Sequence, residues 1–378
     1  MQQKWDVIVI GGGFSGLFFA KNRKLKDFNV IILEEHKEIG YPPHCAGLVS
    51  ISGLKRLGIL NDIRKRGLII NENIRKAKFI GYSGKGREII FDNPVAYVID
   101  RPGLDKFLLE KVVQNGFEVS MQTQVVSLNH KTGTVKLRKG KRQYVIQGRI
   151  LVDAEGARRS LISQIIKNNK GTIPGVQIDI KTEKEIQNDS VELYFNVPDF
   201  FTWIIPLKGS RYRIGIASKK FVRYLHKIIE KVAKKRFGKY KLLRRFGGLV
   251  ETGGPIKKMV LNKLIIIGDA AGHVKPTTGG GIIFGGLGAK IASEVAVGVL
   301  NNRFQLNLYE KLWKRMFLRE LKSMLLIRRI INLLSVGGMD IILKITPQML
   351  FDRINGDFDF HTRALLSILI GKRNEQIK

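Results

Sequence analysis

Trp5-Asp-Val-Ile-Val-Ile10-Gly11-Gly-Gly13-Phe-Ser15-Gly16, followed by Asn29-Val-Ile-Ile-Leu-Glu34, decides the fold. Asp6–Ile10 is an apolar strand, Gly11–Gly16 a glycine-rich turn and Leu17–Lys24 the start of a helix. Asn29–Leu33 is a second strand that ends on an acid. The order strand, Gly-x-Gly-x-x-Gly, helix, strand, acid has a specific physical content. Gly11 permits the tight turn, Gly13 lets backbone approach a pyrophosphate, and Gly16 lets the helix pack closely on the strand. The helix N-terminus then faces the phosphates, and Glu34 can accept hydrogen bonds from ribose hydroxyls. A loop that is merely glycine-rich would lack the flanking strand, helix and acid. The segment therefore predicts a dinucleotide-binding βαβ unit.

Working outward, residues 35–74 read as helix and loop, with helices at Ser52–Leu60 and Asp62–Arg66. Phe79–Ser83 and Arg87–Phe91 alternate around Gly84-Lys85-Gly86, a hairpin pattern. Pro102–Asn115 reads as an amphipathic helix, and a strand lies near Phe117–Met121. Thr134–Arg138 and Gln143–Ile146 form another hairpin, and Ile150–Ala154 a buried strand. The middle third is different. Gly175–Ile180, Ser190–Asn196, Phe201–Pro206 and Arg211–Ala217 are short strands between turn residues, which predicts a second, mostly antiparallel sheet. Leu264–Ile267 returns to the buried type before a glycine-rich helix start at Gly279–Gly281, and from Leu306 the chain reads as basic, apolar helix. The expected fold is α/β. A discontinuous Rossmann-like domain (1–75, 100–165 and 250–303) is interleaved with a sheet domain (76–99 and 166–249), and a C-terminal helical region covers 304–378.

A second cluster narrows the cofactor. Leu264-Ile-Ile-Ile-Gly268-Asp269-Ala-Ala-Gly272 puts an acid right after a buried strand, and Gly279-Gly280-Gly281-Ile282 follows. This resembles the second flavin fingerprint of the p-hydroxybenzoate-hydroxylase-like flavoproteins, in which the Asp binds the ribityl chain and the next helix start lies by the flavin. Val152-Asp-Ala-Glu155-Gly156-Ala-Arg158-Arg159-Ser160 is similar to that superfamily's Asp-Gly segment near the pyrophosphate, with Glu155 where Asp is usual. Arg101, in Ile99-Asp-Arg101-Pro-Gly-Leu-Asp105, corresponds to its cofactor-contacting arginine. Taken singly, Glu155 and Arg101 could instead be members of ordinary surface ion pairs, the lesser reading. The resemblance implies FAD, held by Gly11, Gly13, Ser15, Gly16, Glu34, Cys45, Ala46, Gly47, Arg101, Val125, Glu155, Asp269, Gly280, Gly281 and Ile282.

Pro42-Pro43-His44-Cys45-Ala46-Gly47-Leu48 resembles the Pro-x-x-Cys-Gly/Ala loop of the geranylgeranyl reductase family, whose archaeal members saturate isoprenoid chains of membrane lipids. Phe201-Thr-Trp203-Ile-Ile205-Pro206 resembles its aromatic-x-Trp-x-Phe-Pro motif, with Ile205 for Phe and Phe201 for Tyr. Lys275-Pro-Thr-Thr-Gly-Gly-Gly-Ile282 resembles its Asn-Pro-x-Thr-Gly-Gly-Gly-Ile segment, with Lys275 at the Asn position. The likeness runs from residue 5 to about 300. The Cys loop is one residue tighter than the commonest family form, and the chain is short for the family. The resemblance implies reduction of isolated C=C bonds on a geranylgeranyl lipid or geranylgeranyl diphosphate, with NAD(P)H or a ferredoxin-like protein as reductant. It makes Phe201, Trp203 and Pro206 substrate contacts. Phe195, Phe200, Ile205 and Phe284 are further candidates for an apolar lining, or plain core. Cys45 and His44 are the polar candidates beside the flavin. The Cys45 thiol could position the alkene or donate a proton, or it could pack as a small buried residue.

Composition bounds the alternatives. The 378 residues carry 66 Lys+Arg against 32 Asp+Glu, a formal charge of +34, and 44% are hydrophobic, enough for a packed core. One cysteine excludes an intrachain disulfide framework, and no His/Cys/Asp cluster has metal-ligand spacing. His273 is assigned no role. The charge suits nucleic acid, an anionic membrane surface or a basic background. No RNA-binding module is recognisable, so an RNA-associated flavoprotein ranks third, behind a monooxygenase or halogenase on the same scaffold. Basic residues alternate with large apolar ones over Lys219–Arg245 and Arg315–Arg329, read as helices, which suits a bilayer surface or lipid headgroup as well as a solvated face. No signal peptide and no membrane-spanning helix are expected. The nearest candidate, Met324–Ile345, is broken by Arg328, Arg329, Asp340 and Lys344. The expected location is cytoplasmic and peripheral at the membrane.

Overall fold

A computed structural model describes residues 4–166, 171–186, 188–334, 336–348 and 359–360. The chain divides into two compact units: residues 1–41, 101–172 and 251–322, and residues 42–100, 173–250 and 323–378. Residues 42–75, expected with the dinucleotide domain, thus group with the second sheet, and the C-terminal helices divide between the units. Residues 349–358 and 361–378 of the expected helical tail lie outside the described residues.

The first unit is built on an eight-stranded sheet in which Lys4–Ile10 lies between Arg142–Asp153 and Val30–Leu33, parallel to both. Leu264–Ile266 extends it in parallel beyond Arg142–Asp153, and Glu118–Ser120 beyond Val30–Leu33. Strands buried on both sides read as continuous apolar runs, and Val7, Ile8, Val9, Ile32, Val152 and Ile265 are fully buried. Arg142–Asp153 is one twelve-residue strand where the sequence suggests two. Gly148 sits at the join, where a Cβ would come within 3.0 Å of Ile8 side-chain carbons. The strand's first half pairs with Thr134–Lys139, which pairs in turn with Thr123–Asn129.

Helix Phe14–Ala20, buried at every position but Ser15, packs against this sheet and against helix Ile282–Leu300. At 19 residues, Ile282–Leu300 is the one helix among the described residues long and apolar enough to cross a membrane. Its apolar side chains are used in packing, with Ile283, Phe284, Ala289, Ala292, Val295 and Ala296 buried. Met324–Ile345 is instead parts of two helices, Arg319–Leu333 and Val336–Ile345.

The second unit holds a seven-stranded sheet in the order Tyr240–Glu251, Thr172–Thr182, Arg211–Ala217, Thr202–Pro206, Ser190–Tyr194, Lys76–Ile80, Gly86–Ile90. Ser190–Tyr194 and Lys76–Ile80 run parallel, while the pairs flanking them are antiparallel. Helix Leu225–Phe237 lays Leu225, Ile229 and Ala233 on one face. A three-stranded sheet of Leu48–Ser50, Ala96–Ile99 and Ile69–Ile74 was not foreseen. Nor was the edge strand Tyr240–Glu251. The basic run Lys219–Arg245 is therefore a 3-10 turn, a helix and half a strand rather than helix throughout.

Candidate functional site

In the first unit the glycine turn is fixed by backbone contacts. Gly11 has φ +101°, and a Cβ there would lie 2.5 Å from the Ala154 carbonyl oxygen. A Cβ on Gly16 would lie 2.0 Å from the Gly11 carbonyl oxygen, so helix and strand approach as the motif predicts. Gly13 is exposed, and a Cβ there would meet nothing within 4 Å. Glu34, at the end of Val30–Leu33, is buried. Its Oε2 accepts from the Gly12 N–H at 2.7 Å, and its Oε1 from the His36 N–H at 2.9 Å.

The other elements close around this turn. Ser15 Oγ lies against Gly268 and Gly285, so the Ser15 hydroxyl points into the packing of the two helices. Arg101 holds Asp105 with two hydrogen bonds, 3.0 and 3.4 Å, and lies over the Phe14 ring. Asp269 is within 2.7 Å of a Cβ on Gly281. Burial raises its pKa, and the charges of Arg159 and Arg101 oppose that rise. Glu155 is engaged in its own loop. Its carboxylate accepts from the N–H groups of Leu161 and Ile162 and from Ser160 Oγ, while its N–H donates to Asp153. It makes no ion pair among the described residues, and its carboxylate is bound within its own loop. Val125 lies on Thr123–Asn129, a strand that begins where the Thr123 N–H donates to the Glu34 carbonyl.

Sequence reasoning assigned no role to several buried polar groups of this unit, among them Arg159, Asp153 and His273. Arg159 is 2% exposed, pairs with Glu251 at 3.2 Å and donates to the Asp269 carbonyl at 2.9 Å. Asp153 ends the long strand. Burial first, then the neighbouring Glu155 charge, raises its pKa well above the usual carboxylate range. His273 is fully buried and stacks on Trp313 with ring centroids 4.3 Å apart. Neither ring nitrogen of His273 has a hydrogen-bond partner among the described residues. Only the segments Val152–Ser160 and Leu264–Gly272 pointed to this region.

The second unit carries the Cys loop and the aromatic motif. Gly47 has φ +82°, and a Cβ there would lie 2.6 Å from the Ile99 carbonyl oxygen. The loop is tied to the large sheet at three points. Gln177 Nε2 donates to the His44 carbonyl at 2.8 Å, Arg213 Nη1 to the Ala46 carbonyl at 2.7 Å, and the His44 ring Nδ1 to the Gly247 carbonyl at 2.9 Å. A carbonyl only accepts, so His44 Nδ1 carries a proton and Nε2 is the nitrogen left to exchange one. Cys45 is half-buried, and its Sγ accepts from the Gly47 N–H at 3.4 Å. Arg213 is held by Asp179 through bonds of 2.8 and 3.0 Å.

Trp203 lies flat over Gly215, where a Cβ would be 2.1 Å from the indole, and donates to Gln177 Oε1 at 3.3 Å. Phe201 stacks on Phe200 at 4.1 Å and meets Trp203 edge-on, and Phe195 joins the cluster at 6.1 Å from Phe201. Side-chain alternation puts Ile205 on the Trp203 face but Pro206 on the opposite one, so Pro206 does not share that face. Phe284 belongs to the first unit, where it is fully buried against Phe317 with ring centroids 5.6 Å apart.

The residues of the glycine turn fit a dinucleotide. Gly13 leaves an open edge, Gly11 and Gly16 tolerate no side chain, and Glu34 orders the turn from below. Comparison with known proteins agrees. The FAD binding domain family matches residues 4–237. Digeranylgeranylglycerophospholipid reductase 2 of Methanothermobacter thermautotrophicus is 29% identical, over 90% of this chain and 91% of its own. A geranylgeranyl bacteriochlorophyll reductase-like protein of Thermoplasma acidophilum superposes with a TM-score of 0.84 at 22% identity, covering 98% of this chain and 96% of that one. A myxobacterial chondrochloren halogenase reaches a TM-score of 0.69 at 17% identity, covering 98% and 91%. At these identities the solved structures share the fold.

Proposed function

The chain belongs to the FAD-binding domain family, and from that premise we propose an FAD-dependent reductase that saturates isolated C=C bonds of geranylgeranyl chains in membrane-lipid synthesis. The observation that carries the reading is likeness along nine-tenths of the chain to a reductase named for such a lipid. Under it, Gly11, Gly13, Gly16, Glu34, Arg101, Asp269 and Gly281 hold FAD, and Ser15 and Glu155 shape the cradle rather than contact the cofactor through their side chains. Bound there and reduced, FAD would supply the hydride for one alkene carbon, leaving this chain to orient the alkene and provide a proton for the other.

This chain's own residues do the rest. Phe195, Phe201 and Trp203 present an apolar face that orients a prenyl chain and keeps water from it. The clamp of Gln177, Arg213 and His44 fixes where the Cys45 thiol stands, so Cys45 acts by position against the alkene. The His44 Nε2 faces no carbonyl tie and can pass a proton.

The protein works in the cytoplasm at an anionic membrane surface. Exposed Phe221, Val222 and Tyr224 beside Lys219, Lys220 and Arg223 support that reading, as do Lys227, Lys231, Lys234 and Lys235 on helix Leu225–Phe237. The halogenase likeness keeps one second reading, an oxygen-using flavoenzyme on the same scaffold.

Lipid extracted from the purified yellow protein and analysed by mass spectrometry tests the substrate class. A prenylated lipid, enriched over the bulk membrane extract, is expected. An aromatic or non-isoprenoid ligand in its place would overturn the reading.

A further inference from the structure

The face of the second sheet that carries Trp203 changes polarity across its strands. On one side stand Phe79, Leu193, Phe195, Phe201 and Trp203. On the other, one carboxylate serves two arginines. Asp179 Oδ2 accepts from Arg213 Nη2 at 3.0 Å and from Arg244 Nε at 2.6 Å. Phe246 lies between the same two guanidinium groups, 5.2 Å from Arg213 and 4.9 Å from Arg244. Arg213 is buried and also holds the Cys loop.

Arg244 is different. Its side chain is 44% exposed, and among the described residues its two Nη groups have no hydrogen-bond partner. The carboxylate and the ring fix its guanidinium plane while leaving its fork of donors open. Lys181 and Arg211, paired across the neighbouring strands two residues beyond Asp179 and Arg213, are exposed and add two more cations on the same side. A fixed, half-exposed guanidinium with open donors beside further cations is how proteins hold phosphate.

We propose that Arg244, with Lys181 and Arg211, binds the phosphate of a prenyl amphiphile whose chain lies toward Trp203 and Phe201. This rests on the reading of the substrate as a prenylated phosphate lipid, and it names residues that neither the glycine turn nor the Cys loop involves.

Calorimetric titration of the holoenzyme with geranylgeranyl diphosphate and with geranylgeraniol, in the same detergent, tests it. Wild type is expected to prefer the diphosphate by about tenfold or more, the scale of one charge-assisted pair. Arg244→Gln should remove most of that preference while changing affinity for the alcohol less than about twofold, and Arg244→Lys should restore part of it. A variant that keeps the preference, or one that weakens both ligands equally, overturns the proposal. Flavin content and Tm monitor folding. Should Arg244→Gln not fold, Lys181→Gln with Arg211→Gln must lower the preference instead. Inorganic pyrophosphate should displace the diphosphate but bind at least tenfold more weakly; equal affinity would assign the site to free phosphate and overturn the amphiphile. A wild type that shows the preference but reduces no alkene would count against the reductase reading while leaving this site standing.

Discussion

A Cβ on Gly16 would collide with the Gly11 carbonyl, whereas a Cβ on Gly13 would touch no protein atom, so the two glycines should fail in different ways. Gly16→Ala has to push helix from strand and should lower stability by about 1–3 kcal/mol whether or not FAD is present. Gly13→Ala should leave the Tm of the apoprotein unchanged and weaken FAD by about tenfold or more, because only the bound pyrophosphate needs that space. Flavin titration alongside thermal melts separates the two. His273 gives a prediction of another kind. Burial, and secondly the charge of Arg159, push its pKa down to about 3. The unfolded chain takes up this proton near pH 6.5, the folded chain only near pH 3, so stability is complete above about pH 6.5 and is lost as pH falls toward 3. His273→Phe removes that uptake. Denaturant titrations should show the variant gaining about 2 kcal/mol on the wild type between pH 7 and pH 5. A difference that does not change with pH would mean that the native ring takes up its proton normally.

Among the elements, strand Arg211–Ala217 carries the sharpest steric demand, because the Trp203 indole occupies the space above Gly215. Gly215→Ala should turn the indole out, lower stability by about 2–4 kcal/mol and expose Trp203 fluorescence to quenchers. Wild-type quenching would contradict the packing. The glycine turn was legible because its chemistry is local: the strand, three glycines and acid all lie within thirty residues. The second sheet was legible strand by strand for the same reason. Tyr240–Glu251 was not. Arg244 answers Asp179 on one face and Arg245 answers Glu230 on the other, so the strand shows charges on both sides and no apolar alternation. The clamp on the Cys loop was hidden too, since Gln177, Arg213 and Gly247 reach it from more than a hundred residues away. Alternation along Thr202–Pro206 could have separated Pro206 from Trp203. The motif resemblance grouped them instead.

For the whole molecule, the +34 charge is where composition and function meet. If it serves an anionic bilayer, holoenzyme should float with vesicles rich in anionic phospholipid at about 50 mM salt. Most of it should release by about 300 mM, as screening shortens the reach of each charge. Neutralising Lys219, Lys220 and Arg223 should shift release to lower salt without loss of flavin. Binding that ignores both salt and these residues would leave the charge as background. The central claim is the chemistry, and anaerobic turnover tests it most directly. Enzyme whose flavin has been reduced chemically is mixed with a geranylgeranyl lipid in the absence of oxygen, and flavin absorbance and lipid mass are followed together. The account predicts that each flavin oxidised is matched by one double bond lost, with two hydrogens gained by the lipid. Flavin that stays reduced until oxygen is admitted, or a lipid that gains oxygen instead of hydrogen, would contradict it.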